Sequence, residues 1–330
     1  MAEHEQNRIT KRQVTPLVSI ILPVYNAAPF LRGTLDSLFA QDMPDFELLA
    51  INDGSTDGSL AILRGCKDAR LKIIDMAHNV GIPKAMNVGM RLARGRYLAV
   101  ANADDVYMPQ RFSKQIGYMQ KNFGVYVCGG WFTFFGERRG AMMPEASKEI
   151  RANVLFICPI CHPSAMFDGE FFRKHKILYD EYYRYALDYA LWLRLVRDFP
   201  ECGFGNVQEI LVAYRMHSSN VSTSRFAQQS QFAMRAQYDF LSKLCGDVSA
   251  KERYLQGKLY FKALEFESQE ELLAVKAWMM RLWSCNNESK MMDTEEFQRV
   301  LVRHANSIVE INHEQLPAVE KMFRVFTNAQ

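Results

Sequence analysis

Two polar segments carry residue types able to bind charged groups, and each follows a short apolar run. Asn52-Asp53-Gly54-Ser55-Thr56-Asp57-Gly58-Ser59 follows residues 46–51, and Asn102-Ala103-Asp104-Asp105 follows residues 97–100. An acidic loop at the C-terminal edge of a parallel sheet is where open α/β folds bind nucleotides. Gly54 and Gly58 let the backbone turn sharply and approach a ligand closely. Asp57 and Ser59 supply capping chemistry for a helix over Leu60 to Leu63. Hard divalent cations need oxygen ligands, and Mg²⁺ or Mn²⁺ typically takes one or two carboxylates plus phosphate oxygens. Asp104 stands where such a carboxylate belongs. Each segment also reads as a solvated strand-to-helix turn, with Asp104 and Asp105 as helix caps ahead of Pro109.

Positioning these loops requires a sheet. Short apolar runs alternate with helical patterns from Leu17 to about Trp131, with strands expected at 17–22, 46–51, 71–75, 97–101 and 125–131. Helices are expected near 29–40, 57–65, 82–94 and 109–121; Phe30, Leu31, Leu35, Leu38 and Phe39 keep helical spacing, and Pro29 suits a first turn. The alternation implies βαβ units and a mostly parallel central sheet. The pattern is more irregular from 132 to 222.

The ordered set of motifs, over about residues 17–222, resembles the family 2 glycosyltransferases with the GT-A fold. It runs Pro23-Val24-Tyr25-Asn26, then Asn52 to Ser59, then Asn79-Val80-Gly81-Ile82-Pro83-Lys84, then Asn102-Ala103-Asp104-Asp105. The resemblance implies an inverting transferase moving a sugar from a nucleotide-sugar donor, commonly a UDP-sugar, to a glycan or lipid-linked glycan acceptor. Such products suit bacterial surface polysaccharide, lipopolysaccharide or capsule assembly. It assigns Pro23 and Tyr25 to the uracil pocket and Asp53 to the ring N–H, a donor that a carboxylate can accept. Asn79, Gly81 and Lys84 close over the nucleotide, Lys84 reading equally as a solvated helix residue. Asp104 matches the metal-binding aspartate of the D-x-D motif, with Mn²⁺ or Mg²⁺ as the cofactor. Asn102 replaces that motif's first acid, and Ala103 fills its middle position. An amide oxygen still accepts a ribose hydroxyl but lacks the charge that favours a metal. Asp105 either compensates for that loss or supports the loop.

The resemblance extends downstream. In Ala186-Leu187-Asp188-Tyr189-Ala190-Leu191-Trp192, Asp188 matches the general base, while Leu187 replaces the customary glutamate. A carboxylate beside a bound hydroxyl takes its proton as the new bond forms; capping of helix 189–198 is the alternative. Tyr214-Arg215-Met216-His217 resembles the segment that closes the catalytic domain. Arg215 is a candidate for the diphosphate, because its planar fork matches the oxygens, and His217 is a candidate metal ligand. Cys158-Pro159-Ile160-Cys161-His162 has the C-x-x-C-H spacing of haem attachment or zinc binding. Without an export signal or a second C-x-x-C, its His162-to-Phe167 part instead resembles the family's acceptor-side strand. Asn102 and Leu187 leave one rival reading, a catalytically weak nucleotide-sugar-binding scaffold.

Composition sets further bounds. Hydrophobic content of 48% supports a core, and a net charge of +3 with interspersed signs argues against nucleic acid as a partner. Residues 1–16 form a polar tail without an apolar core, and seven cysteines suggest no disulfide framework, so a reduced cytoplasmic protein is expected. Residues 17–224 are expected to form the transferase domain and 225–330 a helical region. Helices are expected at Ala227–Leu244, Glu252–Phe266, Glu270–Trp283 and Thr294–Ile311, with breaks at Cys245-Gly246-Asp247 and Cys285-Asn286-Asn287. Near the C-terminus Leu316, Val319, Met322, Phe323 and Phe326 make an apolar stripe beside Lys321 and Arg324, diluted by Glu314 and Glu320. It reads as core packing, or as a peripheral contact with the inner face of a membrane or with a second copy.

Overall fold

The computed structural model describes residues 15–137, 140–313 and 319–327. Its first half alternates β1 (Val18–Val24), α1 (Ala28–Phe39), β2 (Phe46–Asn52), α2 (Ser59–Gly65), β3 (Leu71–Asp75), α3 (Ile82–Leu92) and β4 (Tyr97–Val100). β5 (Val106–Tyr107), α4 (Arg111–Lys121), β6 (Val125–Phe134), β7 (Gly140–Ala141), α5 (Ser147–Asn153), β8 (Met166–Asp168) and α6 (Gly169–Lys174) follow. α7 (Leu187–Asp198), β9 (Gly203–Tyr214) and α8 (Val221–Ser224) complete the part that carries the motifs.

The sheet runs β3-β2-β1-β4-β8-β6-β9-β5, with β7 paired to β6. From β3 to β4 all pairings are parallel, as βαβ alternation requires, and the C-terminal ends of these strands align: Val24 faces Asn52, and Asn52 faces Asp75. The other half is mixed. β6 and β9 pair in parallel, while β8 runs antiparallel between β4 and β6 and β5 runs antiparallel to β9. β1 explains the continuous apolar runs. Val18, Ile20, Leu22 and Val24 pack with α1 and α4 residues such as Leu31, Leu35 and Phe112, while Ile21 packs with Met86 and Met90 of α3 on the opposite face.

The N-terminal edge of the sheet is fixed by one buried carboxylate. Glu47 accepts from Ser19 Oγ at 2.7 Å, Lys72 Nζ at 2.6 Å and the Arg94 backbone N–H at 3.1 Å. Ser19 Oγ in turn accepts the Gly95 N–H at 2.8 Å. A Cβ on Gly95 would stand 2.4 Å from the Ser19 backbone nitrogen, so this crossing requires glycine.

The C-terminal region holds α9 (Phe226–Cys245), α10 (Ala250–Tyr260), α11 (Gln269–Ser289), α12 (Thr294–Asn312) and α13 (Val319–Thr327). One continuous core runs from Ile21 and Val100 of the sheet through Trp192 to Phe240, Trp278, Phe297 and Phe323. Three expectations are corrected here. α11 continues through Cys285–Asn287, because Asn286 is buried and exchanges two hydrogen bonds with the Met292 backbone; the helix ends at Lys290, in the left-handed region. α10 stops at Tyr260, ahead of the left-handed Lys262. Cys245 and Cys285 form a disulfide between α9 and α11, with Cα atoms 5.3 Å apart, a pairing that the cysteine count did not suggest.

Val319, Phe323 and Phe326 of the C-terminal stripe are buried in this core, which leaves them unavailable to a membrane or a second copy. Leu316, Glu314 and residues 1–14 lie outside the described residues. No helix among the described residues is long and apolar enough to cross a membrane.

Glu47 predicts an acid-linked loss of stability. Burial pushes its carboxyl up, but hydrogen bonds from Lys72, Ser19 and Arg94 outweigh that and hold it at about 2 instead of 4.5. A depressed folded value stabilises above the unfolded pKa, and the stability is lost as pH falls from about 4.5 toward 2. Denaturant titrations across this range should show Glu47→Gln about 3 kcal/mol less stable at pH 7. The variant's stability should also be flatter than the wild type's below pH 4.5.

Candidate active site

Two clusters form at the C-terminal edge of the parallel strands. The first gathers around Asp53, which is buried just past β2. Its carboxylate accepts the Val80 N–H at 2.7 Å and the Gly81 N–H at 3.0 Å, and Asn79 Nδ2 donates to its backbone carbonyl at 3.3 Å. The loop ahead of α3 is thereby folded over the end of β2. Gly54 has φ 65°, and a Cβ there would stand 2.6 Å from the Asn79 nitrogen, so only glycine allows the two loops to meet. Gly81, at φ 90°, opens α3.

Pro23 lies near the end of β1, paired with Ile51 of β2, and Tyr25 just past the strand stands 51% exposed, an open ring face where a planar ligand could stack. The expected capping by Asp57 and Ser59 reaches farther than α2. Asp57 accepts from Ser59 N–H at 2.9 Å and from Ala28 N–H at 3.0 Å, and Ser59 Oγ accepts the Ala27 N–H at 2.9 Å. The starts of α1 and α2 are held by the same two side chains. Burial raises the Asp57 pKa, and these hydrogen bonds more than offset it, leaving the carboxyl below its ordinary range.

The second cluster joins residues far apart in sequence. Val106 and Tyr107 pair with Ala213 and Val212, which brings the segment after β9 onto the loop after β4. There Asp104 Oδ2 meets His217 Nε2 at 3.0 Å. Ser219 Oγ lies 2.7 Å from His217 Nδ1, and the ring stacks on Phe30 with centroids 4.4 Å apart. A serine hydroxyl can donate or accept, so it supports either imidazole tautomer. Arg215 donates from Nε to the Asp104 carbonyl at 2.9 Å, and its guanidinium lies 3.9 Å from the Phe135 ring centroid and 5.2 Å from that of Phe30. The aromatic faces fix the fork in place.

Asp105 is not available as a ligand. It is fully buried, and its oxygens accept the Arg215 N–H at 2.9 Å and Asn102 Nδ2 at 3.0 Å. Burial, and then the neighbouring Asp104 charge, push its carboxyl upward. An acid at position 102 would add a further carboxylate beside Asp104 and Asp105, whereas the amide donates to Asp105. Thr34 of α1, which sequence reading missed, donates to the carbonyls of both Ala103 and Asp105 at 3.0 and 2.8 Å. Tyr107, also missed, places its phenol oxygen 2.6 Å from the Asn102 backbone nitrogen. Their signal was faint, because a threonine and a tyrosine on apolar elements look like core.

Lys84 lies 3.9 Å from Glu181 on the surface. Asn87 Nδ2 donates to the Tyr179 carbonyl at 3.0 Å, and Asn87 Oδ1 accepts the Tyr179 N–H at 2.8 Å, so α3 carries the segment that leads into α7. Asp188 sits in the first turn of α7, and among the described residues no hydrogen bond joins it to the Asp104 cluster. Leu187 is buried in the core, which explains an apolar residue beside it. Cys158 and Cys161 are free thiols, and among the described residues no group of three or more His, Cys, Asp or Glu is poised for a metal.

Residues 19–181 match the family described as Glycosyl transferase family 2. An uncharacterized glycosyltransferase of Rickettsia prowazekii is 30% identical over 235 residues, covering 66% of this chain and 70% of that protein. The chain belongs to the family 2 glycosyltransferases.

Other relatives agree with this assignment. An uncharacterized glycosyltransferase of Haemophilus influenzae is 29% identical over 251 residues, covering 71% of this transferase and 77% of its own length. The Escherichia coli UDP-Glc:alpha-D-GlcNAc-diphosphoundecaprenol beta-1,3-glucosyltransferase WfgD is 25% identical, covering 72% and 90%. Among solved structures, S. aureus TarS with UDP-GlcNAc superposes with a TM-score of 0.58 at 16% identity, covering 93% of this transferase and 91% of that chain. The Pyrobaculum calidifontis mannosyltransferase PcManGT, in complex with GDP-Man and Mn²⁺, superposes at 0.55 with 15% identity, covering 96% and 89%. These likenesses show the GT-A fold.

The Asp105 contacts make a testable statement about the site's frame. Asp105→Ala leaves the Arg215 N–H and the Asn102 amide without their partner. It should destabilise the protein by about 2–4 kcal/mol in chemical denaturation, in line with unpaired buried donors.

Proposed function

We propose that the transferase moves a sugar from a nucleotide-sugar, in the leading case a UDP-sugar, to a glycan or lipid-linked glycan by one in-line displacement that inverts the anomeric centre. The observation that carries this reading is the meeting of Asp104 and His217 at 3.0 Å across 113 residues of sequence, with Arg215 beside them. A departing nucleoside diphosphate develops negative charge, and preorganised cations at that point lower the barrier. Arg215 commits Nε to the Asp104 carbonyl and keeps the other edge of its fork for phosphate oxygens.

The residues fit a divalent cation. Asp104 and His217 offer one carboxylate and one imidazole, and their 3.0 Å separation equals that of neighbouring ligands about an octahedral ion bonded at about 2.1 Å. Mn²⁺ or Mg²⁺ held by these two residues and completed by donor phosphate oxygens would supply charge neutralisation to the leaving diphosphate. The Mn²⁺ present with GDP-Man in PcManGT supports this reading.

Pro23 and Tyr25 flank the base, and Asp53 receives its ring N–H. Each Asp53 oxygen already takes one backbone N–H and retains a lone pair for another donor. Asn79, Gly81 and Lys84 border the nucleotide, and Asn102 and Ala103 lie along the ribose. Asp188 takes the proton of the acceptor hydroxyl.

A cavity of about 520 Å³ lined by Phe30, Phe134, Phe135, Glu137, Arg215, Met216 and His217 adjoins the metal-binding pair and offers room for a sugar with apolar surroundings. The WfgD name, which describes a diphosphoundecaprenol-linked acceptor, supports a lipid-linked substrate. The transferase then works in the cytoplasm, at the inner face of the membrane that carries its acceptor, in assembly of a surface polysaccharide or lipopolysaccharide.

Free nucleotide released from a panel of UDP-, GDP- and dTDP-sugars, with and without Mn²⁺ or Mg²⁺ and with candidate acceptors, tests this. One donor should turn over only with metal, and Asp104→Ala should lower the rate by about two or more orders of magnitude. Absence of binding and turnover for every donor would contradict the reading and favour the scaffold.

A further inference from the structure

The Cys158–His162 segment lies against the residue assigned as general base. Cys158 Sγ lies 3.9 Å from Asp188 Oδ2 and 3.6 Å from the Ile160 carbonyl oxygen, so its single S–H is shared between two acceptors. Among the described residues the Cys158 contact is the one hydrogen bond to that carboxylate, and Oδ1 has no partner among them. One helical turn along α7 stands Trp192, fully buried, its indole N–H without a hydrogen-bond partner at ordinary distances. Trp192 acts on the Cys158 thiol: burial and the charges of Asp188 and Cys161 push that thiol well up, and the indole N–H opposes them.

We propose that Cys158 is a positioning residue for Asp188, its S–H anchoring Oδ2 with Trp192 behind the sulfur, so that Oδ1 is the oxygen presented to the acceptor hydroxyl. The inference rests on the reading of Asp188 as base. The chemistry of the donor matters. An N–H or O–H bound to a carboxylate favours the ionised form and makes it a weaker base. A thiol is a weak donor, so it fixes the side chain's direction while drawing little on its basicity. Leu187, apolar and buried, contributes no competing hydrogen bond.

The titratable groups that sense the Asp188 charge are the thiols of Cys158 and Cys161, the His162 imidazole, and the phenols of Tyr179 and Tyr260. His162 Nε2 and Tyr179 OH are hydrogen-bonded at 2.9 Å. Burial lowers His162 below its ordinary value and raises Tyr179 well above its own, so this pair is neutral at pH 7.

The test joins a readout independent of turnover to a kinetic one. In infrared difference spectra the S–H stretch of Cys158, identified by its loss in Cys158→Ala, should be shifted to lower frequency than a free thiol and should return toward the free position in Asp188→Asn. In donor turnover, Cys158→Ala should lower kcat on the order of tenfold and leave donor Kd and melting temperature near wild type. Cys158→Ser should recover much of kcat, and the rising limb of its pH–rate profile should move to lower pH, because a stronger donor favours the carboxylate.

A free-thiol band insensitive to Asp188→Asn would overturn the proposal. So would Cys158 variants with wild-type kcat and pH limb beside an inactive Asp188→Asn, or losses that merely track melting temperature. Full activity in Asp188→Asn would overturn the base reading itself, and this inference with it.

Discussion

Burying Asp105 at the end of β4 is tolerable only because three segments supply partners for its carboxyl and its backbone carbonyl, and that requirement organises the site. The carboxyl is fully removed from water, which is costly unless donors surround it. The Arg215 N–H comes from the segment after β9 and the Asn102 amide from the same turn, while Thr34 of α1 takes up the carbonyl. Satisfying Asp105 therefore draws α1, the β4 loop and the β9 tail together, and the outward neighbour Asp104 is left facing His217. Asn102 follows from the same constraint. Beside two carboxylates, a donor at position 102 relieves charge that an acid would increase.

The sheet makes this convergence possible. Its parallel half aligns the ends of β1, β2, β3 and β4, so the loops carrying Tyr25, Asp53 and Asp104 open on one edge. Its mixed half returns β9 to that edge, and the two-residue strand β5 fixes the register, pairing Val106 with Ala213 just before Tyr214. The loops carrying Tyr25, Asp53 and Asp104 thus belong to the βαβ pattern, while Arg215 and His217 arrive through antiparallel pairing. The helices after residue 225 continue the core beneath α7 and so brace the helix that holds Asp188.

Much of this was legible in the sequence. Apart from the two-residue strand β5, strand and helix order up to residue 131 followed from alternating periodicities, and the acidic loops lay at strand ends as expected. Local chemistry also predicted Pro29 in the first turn of α1 and Asp57 as a cap. Contacts between distant segments were less visible. Nothing near Asp105 signals that its oxygens serve Arg215, 110 residues on. Nothing near Cys285 or Asn286 signals that the helix continues, because the compensating bonds run to Met292 and the disulfide to Cys245. The C-terminal stripe was ambiguous for the same reason: an amphipathic pattern states that a face is covered, and only packing shows by what.

The account's central claim is that Asp104 and His217 act as one cation-binding pair for a nucleotide diphosphate. Titrating Mn²⁺ into the protein with UDP present, and following free Mn²⁺ by electron paramagnetic resonance, tests this without requiring turnover. One ion per chain should bind in a UDP-dependent manner, with affinity lowered about tenfold or more by either Asp104→Asn or His217→Ala, and little further by combining them. Mn²⁺–UDP binding unchanged in both single variants would contradict the claim.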